Sequence, residues 1–416
     1  MQVPQGLRER VAGIAAALAA RKSDAAVLAC QRPSTFLAAL LALWHLRREA
    51  LVPASLQPEA VAALAASGAP VLRDEDLEKF RPEENPLHLP AAAECRLALY
   101  TSGSSGEPKR VDKTLAQLER EVANLHTLWG SALASSCVLA TVPHYHIYGL
   151  LFRLLWPLAA GRPAEDATAA DPQELARLAE RNGPYVLVST PAHLARFPEL
   201  LPLAEWPRPQ AIFSSGAPLA AETAARYREA WGAAPLEIFG STETGGVAWR
   251  QRDGAEGEDA WTPFPGIAVR LDRDGALLLD SPYLAERGWR MEDAASLLPR
   301  GRFLLRGRLD RVVKIEGKRL SLPELEQRLQ AHAWVAAACA VPLPAPRRLG
   351  VVIVPSAAGA AALERDGRRA VREALRRHLA AALDPTLLPR RFRFVAELPV
   401  SERGKVALKA LQELLR

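Results

Sequence analysis

The sequence has no apolar run near the roughly 20 residues that a membrane-spanning helix requires. Its longest candidate, residues 35–44 (TFLAALLALW), has the length of a buried helix. The N-terminus, MQVPQGLRERVAGIAAALAARK, lacks the short basic region followed by an unbroken apolar one that marks an export signal. Cysteine is scarce: Cys30, Cys95, Cys137 and Cys339 are far apart, with no CxxC pair and no metal-ligand spacing. They read as reduced core residues of a cytoplasmic protein. Aromatics make up only 6% of the chain. No zinc-finger spacing or RNA-binding signature occurs, which argues against nucleic acid as the partner. Internal repeats and low-complexity tails are also missing.

What is present is length and an apolar share of 49% over 416 residues, enough for two or three globular domains. The net charge of +6 is uneven: from Leu309 to the end, 20 Lys and Arg stand against 11 Asp and Glu. That end of the molecule prefers an anionic partner. Short apolar runs (AAVLAC, EALVPA, CVLATVP, YVLVST, QAIFSSG, PLEIFG) alternate with helical segments, an α/β pattern whose active groups are expected at the carboxyl ends of the strands. Past Trp261, GIAVRLDRDGALLLDS reads as a β-rich subdomain turning at RDG. The expected division is a large α/β domain over residues 1–308, with parallel-type sheets, and a small α+β domain over 309–416. Within the latter, residues 356–363 (SAAGAAAL) read as a mobile surface loop.

The stretch YTSGSSGEPKR, residues 100–110, is built to hold phosphate. Gly103 and Gly106 can expose backbone N–H groups, Thr101, Ser102, Ser104 and Ser105 add hydroxyl donors, and Lys109 adds a point charge. A Walker loop needs a glycine at the fifth position after Gly103, and Pro108 stands there. The strand RLALY precedes the loop, and Thr114 with Gln117 forms a capping box for a following helix. An ordered anion site is therefore expected in preference to a flexible linker.

Six segments in order then resemble the signatures of the adenylate-forming superfamily of acyl-CoA synthetases and related ligases. They are YTSGSSGEPKR, PHYHIYGL, SSGAPL, IFGSTETGG, MED followed by GRLDRVVKIEGKRLSLPELE, and LPVSERGKVALKAL. The resemblance implies ATP-dependent activation of a carboxylic acid to an acyl-adenylate, then transfer to a phosphopantetheine thiol of CoA or an acyl carrier protein. It implies that the loop from Thr101 to Lys109 holds the β- and γ-phosphates, that Glu243 ligates Mg²⁺, and that Thr242 donates to the α-phosphate. Phe239 and Gly240 would flank adenine on one side and Gly216, Ala217 and Pro218 on the other. Asp293 would take the ribose hydroxyls, with Arg308 beside it and Arg319 toward the phosphates. Lys405 would bridge carboxylate and α-phosphate, and Asp310 would be the hinge of a mobile C-terminal domain. Tyr145, His146, Ser215 and Gly245 would bind the acid, while His45, His126, His193 and His378 match no motif and read as structural.

Three departures from the family pattern stand out. The phosphate loop arrives near residue 100, so the first part of the large domain is trimmed; Met291-Glu292-Asp293 replaces Thr-Gly-Asp; Arg110 stands where glycine is common. The compact size is most similar to ligases of aryl-polyene and pigment clusters, which load an acid onto a carrier protein. The wall expected from Tyr145, residues 189–192, 214–217 and 245–247 is small or apolar, favouring a hydrophobic aryl or aliphatic acid. Adenylation without thiol transfer and a non-catalytic binding homologue are the competing readings.

Overall fold

The computed structural model describes residues 4–102, 108–169, 171–255, 257–315, 318–343, 348–399 and 408–415. By its internal contacts the chain forms two units, Met1–Ala268 with Asp280–Arg287, and Val269–Leu279 with Gly288–Arg416.

The first unit contains two sheets. One is built from β1 (Ala25–Leu28), β2 (Glu49–Val52), β3 (Val71–Leu72), β4 (Arg96–Ser102) and β5 (Pro108–Thr114), in the order β3-β1-β2-β4-β5. All pairs are parallel except β4–β5, an antiparallel hairpin. The other holds β6 (Cys137–Ala140), β7 (Ala164–Thr168), β8 (Tyr185–Ser189), β9 (Ala211–Ser214), β10 (Leu236–Ser241), β11 (Gly245–Gln251) and β12 (Thr262–Pro263). Its order is β12-β11-β10-β9-β8-β6-β7, parallel from β7 to β10, with β11 and β12 antiparallel. Continuous burial along β6 and β8 explains their unbroken apolar runs, as expected of strands covered on both faces. One face packs Leu139, Tyr185, Leu187 and Ile212 against Leu175, Phe197 and Tyr227 of the crossover helices. Polar residues replace the apolar run where three of the parallel strands end: Thr141 directly after β6, Ser189 at the end of β8 and Ser214 at the end of β9.

The second unit starts with an antiparallel sheet of β13 (Ala268–Leu271), β14 (Ala276–Asp280), β15 (Trp289–Leu297) and β16 (Phe303–Arg308). The RDG turn between β13 and β14 closes as expected, with the Asp272 carboxylate accepting from the Asp274 and Ala276 N–H groups. A hairpin of β17 (Val312–Ile315) and β18 (Lys318–Ser321) follows, then a helix over Leu322–Gln330 capped by Ser321, and a sheet of β19 (Val335–Leu343), β20 (Arg348–Pro355) and β21 (Arg391–Phe394). The expected hinge residue, Asp310, falls inside this unit, in the short turn Leu309–Arg311 between β16 and β17.

One expectation is corrected. Residues 356–363 are not a surface loop but the first turns of the helix Ala357–Ala380, which is interrupted at Gly367. The Ser356 hydroxyl accepts from the Gly359 N–H at 3.1 Å, an N-cap, and the alanine-rich run that follows has high helix propensity. Gly359 lies so close to the Trp334 carbonyl that an added Cβ would stand 2.1 Å from it. All four cysteines are free and buried, and among the described residues no helix is long and apolar enough to cross a membrane.

Candidate active site

The segment expected to hold phosphate lies in the chain between β4 and β5. Strand register places Thr101 opposite Lys109 and Ser102 opposite Pro108, and the Thr101 hydroxyl reaches the Lys109 carbonyl at 3.5 Å. Gly103, Ser104, Ser105 and Gly106 lie outside the described residues, as does Lys405. Side chains alternate along a strand, so Lys109, Val111 and Lys113 share one face of β5. Lys109 Nζ donates to Glu243 Oε1 at 2.8 Å, and Lys113 Nζ donates to the backbone carbonyl of the same residue, also at 2.8 Å. Glu243 is thus held at its side chain and at its backbone by two lysines of one strand.

Glu243 sits in the turn that joins β10 to β11. The ladder slips at Phe239/Gly240, where an added Cβ on Gly240 would stand 2.1 Å from the Gly245 carbonyl. Inside the turn Ser241 N–H donates to Thr244 Oγ1 at 3.0 Å and Thr244 N–H to Ser241 Oγ at 3.2 Å. Gly245 closes it with φ of +68°, in the left-handed region. Behind the turn lies a residue the sequence did not single out: Glu121 Oε2 accepts from the Gly246 N–H at 2.9 Å. Burial pushes the Glu121 carboxyl up to about 7 against the pull of Lys113 and of the Gly246 N–H, and burial lowers the Lys113 ammonium. Glu243 differs: burial would raise it, but the Lys109 hydrogen bond and charge outweigh this and hold it below the usual carboxylate range. An ionised, partly exposed carboxylate suits Mg²⁺, which takes one or two protein oxygens plus phosphate and water. No cluster of three or more His, Cys, Asp or Glu suited to a metal exists among the described residues, so an all-protein cage is not offered there.

The segment assigned to adenine follows β9. Ser215 Oγ donates to the Ile238 carbonyl at 2.9 Å, which ties this turn to β10 just before Phe239. Gly216 has φ of +95°, Ala217 and Pro218 are exposed, and the Phe239 ring packs against Trp261 with centroids 5.5 Å apart. A buried ionic cluster fastens the same turn from below: Glu237 accepts from Arg250 at 2.8 and 2.9 Å and from Leu219 N–H at 3.3 Å, while Arg252 donates to the Leu219 carbonyl at 3.1 Å. Sequence reasoning missed this cluster. The available signal was the β10–β11 register, which puts Glu237 opposite Arg250.

Tyr145 and His146 follow the end of β6, with ring centroids 4.7 Å apart, and both are partly exposed. Their neighbour His144 is buried, with Nε2 3.1 Å from the Cys30 carbonyl. Burial, then the charge of Arg153, lower it to about 3, so this imidazole is neutral. At the ends of β6 and β8, Thr141 Oγ1 lies 2.9 Å from Ser189 Oγ and 3.1 Å from His193 Nδ1, so His193 joins a hydroxyl cluster at the strand ends.

In the second unit, β15–β16 register sets Asp293 opposite Arg308, with carboxylate and guanidinium 3.7 Å apart. Arg319 lies on β18 opposite Lys314.

Residues 47–281 match the family described as AMP-binding enzyme, and residues 324–405 match the AMP-binding enzyme C-terminal domain. The chain is 31% identical over 322 residues to a 4-coumarate–CoA ligase of Rhodobacter capsulatus, covering 76% of each protein. Its fold resembles ATP-bound MatB from Rhodopseudomonas palustris (TM-score 0.78, 20% identity, 98% of this chain and 92% of that one). It also resembles the amide bond synthetase McbA from Marinactinospora thermotolerans (TM-score 0.78, 20% identity, 99% of this chain and 94% of that one).

Proposed function

Since the chain belongs to the AMP-binding, adenylate-forming enzymes, we propose that it is an acid–thiol ligase acting on a hydrophobic aryl or aliphatic acid, with CoA or an acyl carrier protein as acceptor. A substrate carboxylate oxygen attacks the α-phosphorus of ATP, the bond to the β-phosphate oxygen breaks, and pyrophosphate leaves. A phosphopantetheine thiolate then attacks the acyl carbonyl and AMP departs. The observation that carries this reading is the Lys109–Glu243 contact, which joins the phosphate-loop hairpin to the aromatic-Gly-x-Thr-Glu turn.

Roles follow from the chemistry of the side chains. Lys109 offsets charge on the β- and γ-phosphates, the hydroxyls of Thr101, Ser102, Ser104 and Ser105 donate hydrogen bonds to them, and Thr242 donates to the α-phosphate. Magnesium bound through Glu243 would spread charge over the leaving pyrophosphate. Phe239 and Gly240 flank adenine opposite Gly216, Ala217 and Pro218; Asp293 accepts from the ribose, with Arg308 beside it and Arg319 toward the phosphates. Tyr145, His146, Ser215 and Gly245 contact the acid. Lys405 meets the charge that builds between carboxylate and α-phosphate, and a turn at Asp310 withdraws it before the thiol arrives. A basic C-terminal segment suits an acidic acceptor, as CoA and carrier proteins both are. The setting is cytoplasmic.

Pyrophosphate release across a panel of carboxylic acids, with CoA, with a phosphopantetheinylated carrier protein and with neither, tests the proposal. Thioester formation with one acceptor supports it. Adenylate without thioester would favour the amide-forming alternative, and no acid-dependent release would leave a non-catalytic homologue.

A further inference from the structure

We propose that Lys113 and Glu121 form an internal brace that fixes the backbone from Glu243 to Gly246 and so sets how the Glu243 carboxylate meets the magnesium nucleotide. The inference rests on the adenylation reading of Glu243 and assigns two residues which that reading leaves unused. Both are interior, with only 2% and 3% of their surface exposed. Glu121 stands on the apolar face of the helix Leu115–Trp129, among Leu118, Val122 and Leu125, where leucine would serve the core better. Lys113 lies in β5 between the buried residues Val111 and Leu115. Neither charge is spent on the other: each bonds a backbone group of one distant turn, and an apolar side chain at either position would leave that group without its partner.

Lys113 donates to the Glu243 carbonyl at 2.8 Å and Glu121 accepts from the Gly246 N–H at 2.9 Å, so both charges spend themselves on one four-residue segment. The fit leaves no slack: a Cβ on Gly245 would stand 2.4 Å from a Glu121 carboxylate oxygen. The other oxygen, Glu121 Oε1, has no hydrogen-bond partner, an unfavourable arrangement for stability alone. With the backbone pinned from behind, the Glu243 side chain is left to point toward Lys109, which shares its strand face with Lys113. Lys113 and Glu121 touch no reacting atom in this scheme. They are positioning residues.

The test compares wild type with Lys113→Met, Glu121→Gln and the double variant Lys113→Met/Glu121→Leu. Amide hydrogen exchange is read in peptides covering Ser241–Val247, together with Mg·ATP binding by calorimetry and KM for ATP and for the acid. Losing one of these bonds predicts exchange faster by about tenfold or more in that segment and ATP affinity weaker by about tenfold, with KM for the acid raised as well because Gly245 lies in the same turn. Glu121→Gln retains an acceptor and stays near wild type. The double apolar variant speeds exchange in that segment and loses ATP affinity while exchange in the rest of the chain stays as in wild type, a split that a general loss of stability would not give. Unchanged exchange in the folded variants, or faster exchange with unchanged ATP binding, overturns the brace. If wild type itself binds no ATP, the adenylation reading fails, and exchange alone then decides whether the pair holds the turn.

Discussion

Lys109 Nζ and Glu243 Oε1 lie 2.8 Å apart although 134 residues separate them in the chain. The strand that follows the phosphate loop and the turn that ends β10 therefore meet at one carboxylate. Held below the usual carboxylate range, Glu243 is ionised throughout neutral pH. Glu243→Gln keeps the size and removes the charge. It is expected to lower kcat for adenylation by about 10² to 10³ and to raise the Mg²⁺ concentration for half-maximal rate. Steady-state rates over a magnesium titration check both, and an unchanged titration would separate Glu243 from the metal.

Lys405 is assigned to the first half-reaction only. Lys405→Ala should abolish acid-dependent pyrophosphate release while leaving thioester formation from a supplied acyl-adenylate within about threefold of wild type, because the donor acts on charge that develops in the first step alone. Equal loss in both halves would contradict the hinge assigned to Asp310.

The buried Glu237 cluster under the Pro218–Leu219 turn predicts a stability effect. Glu237→Ala leaves Arg250 and Arg252 buried without their main acceptor, so a loss of about 3 to 5 kcal/mol is expected by chemical denaturation. A loss below about 1 kcal/mol would show that the cluster is not under tension from burial.

His144 sets a pH dependence with a definite sign. Its folded-state pKa is about 3 against 6.5 for the free side chain, so the unfolded chain takes up a proton that the folded one refuses. That contribution is full above pH 6.5 and is lost as pH falls toward 3, at about 1.4 kcal/mol per unit. Glu121 acts oppositely: raised from 4.5 to about 7, its contribution is present below 4.5 and lost as pH rises through 7. Because the two overlap, the readout is the difference between wild type and His144→Gln. Their stability gap should shift by about 2 kcal/mol from pH 6.5 to pH 5, against wild type. A constant gap would contradict the burial of a neutral imidazole.

Local signals carried much of the fold. The Thr114–Gln117 capping box forms with both of its bonds, and the short apolar runs of β6, β8, β9 and β10 are the parallel strands they resemble. The helix beginning at Ala357 was misread because SAAG has the composition of a loop, and the Ser356 cap and the tight seat of Gly359 under Trp334 show only in three dimensions. Of the candidate site, the residues assigned by resemblance each sit in a short spaced pattern, and the structure brings Lys109 of one pattern to Glu243 of another. Lys113 and Glu121 were not legible, since their targets lie 130 and 125 residues away and nothing in a helix face or strand face names a distant backbone group. The Glu237–Arg250 pair is intermediate, readable only once the β10–β11 register is known.

The central claim is that this chain joins a carboxylic acid to AMP. Acid-dependent exchange of labelled pyrophosphate into ATP tests it most directly, since exchange needs only the first half-reaction and no acceptor. Wild type should exchange with at least one aryl or aliphatic acid in the presence of Mg²⁺, Glu243→Gln should exchange about 10² to 10³ more slowly, and Lys405→Ala should not exchange. Absence of exchange with every acid, from a folded protein that binds ATP, would contradict the account.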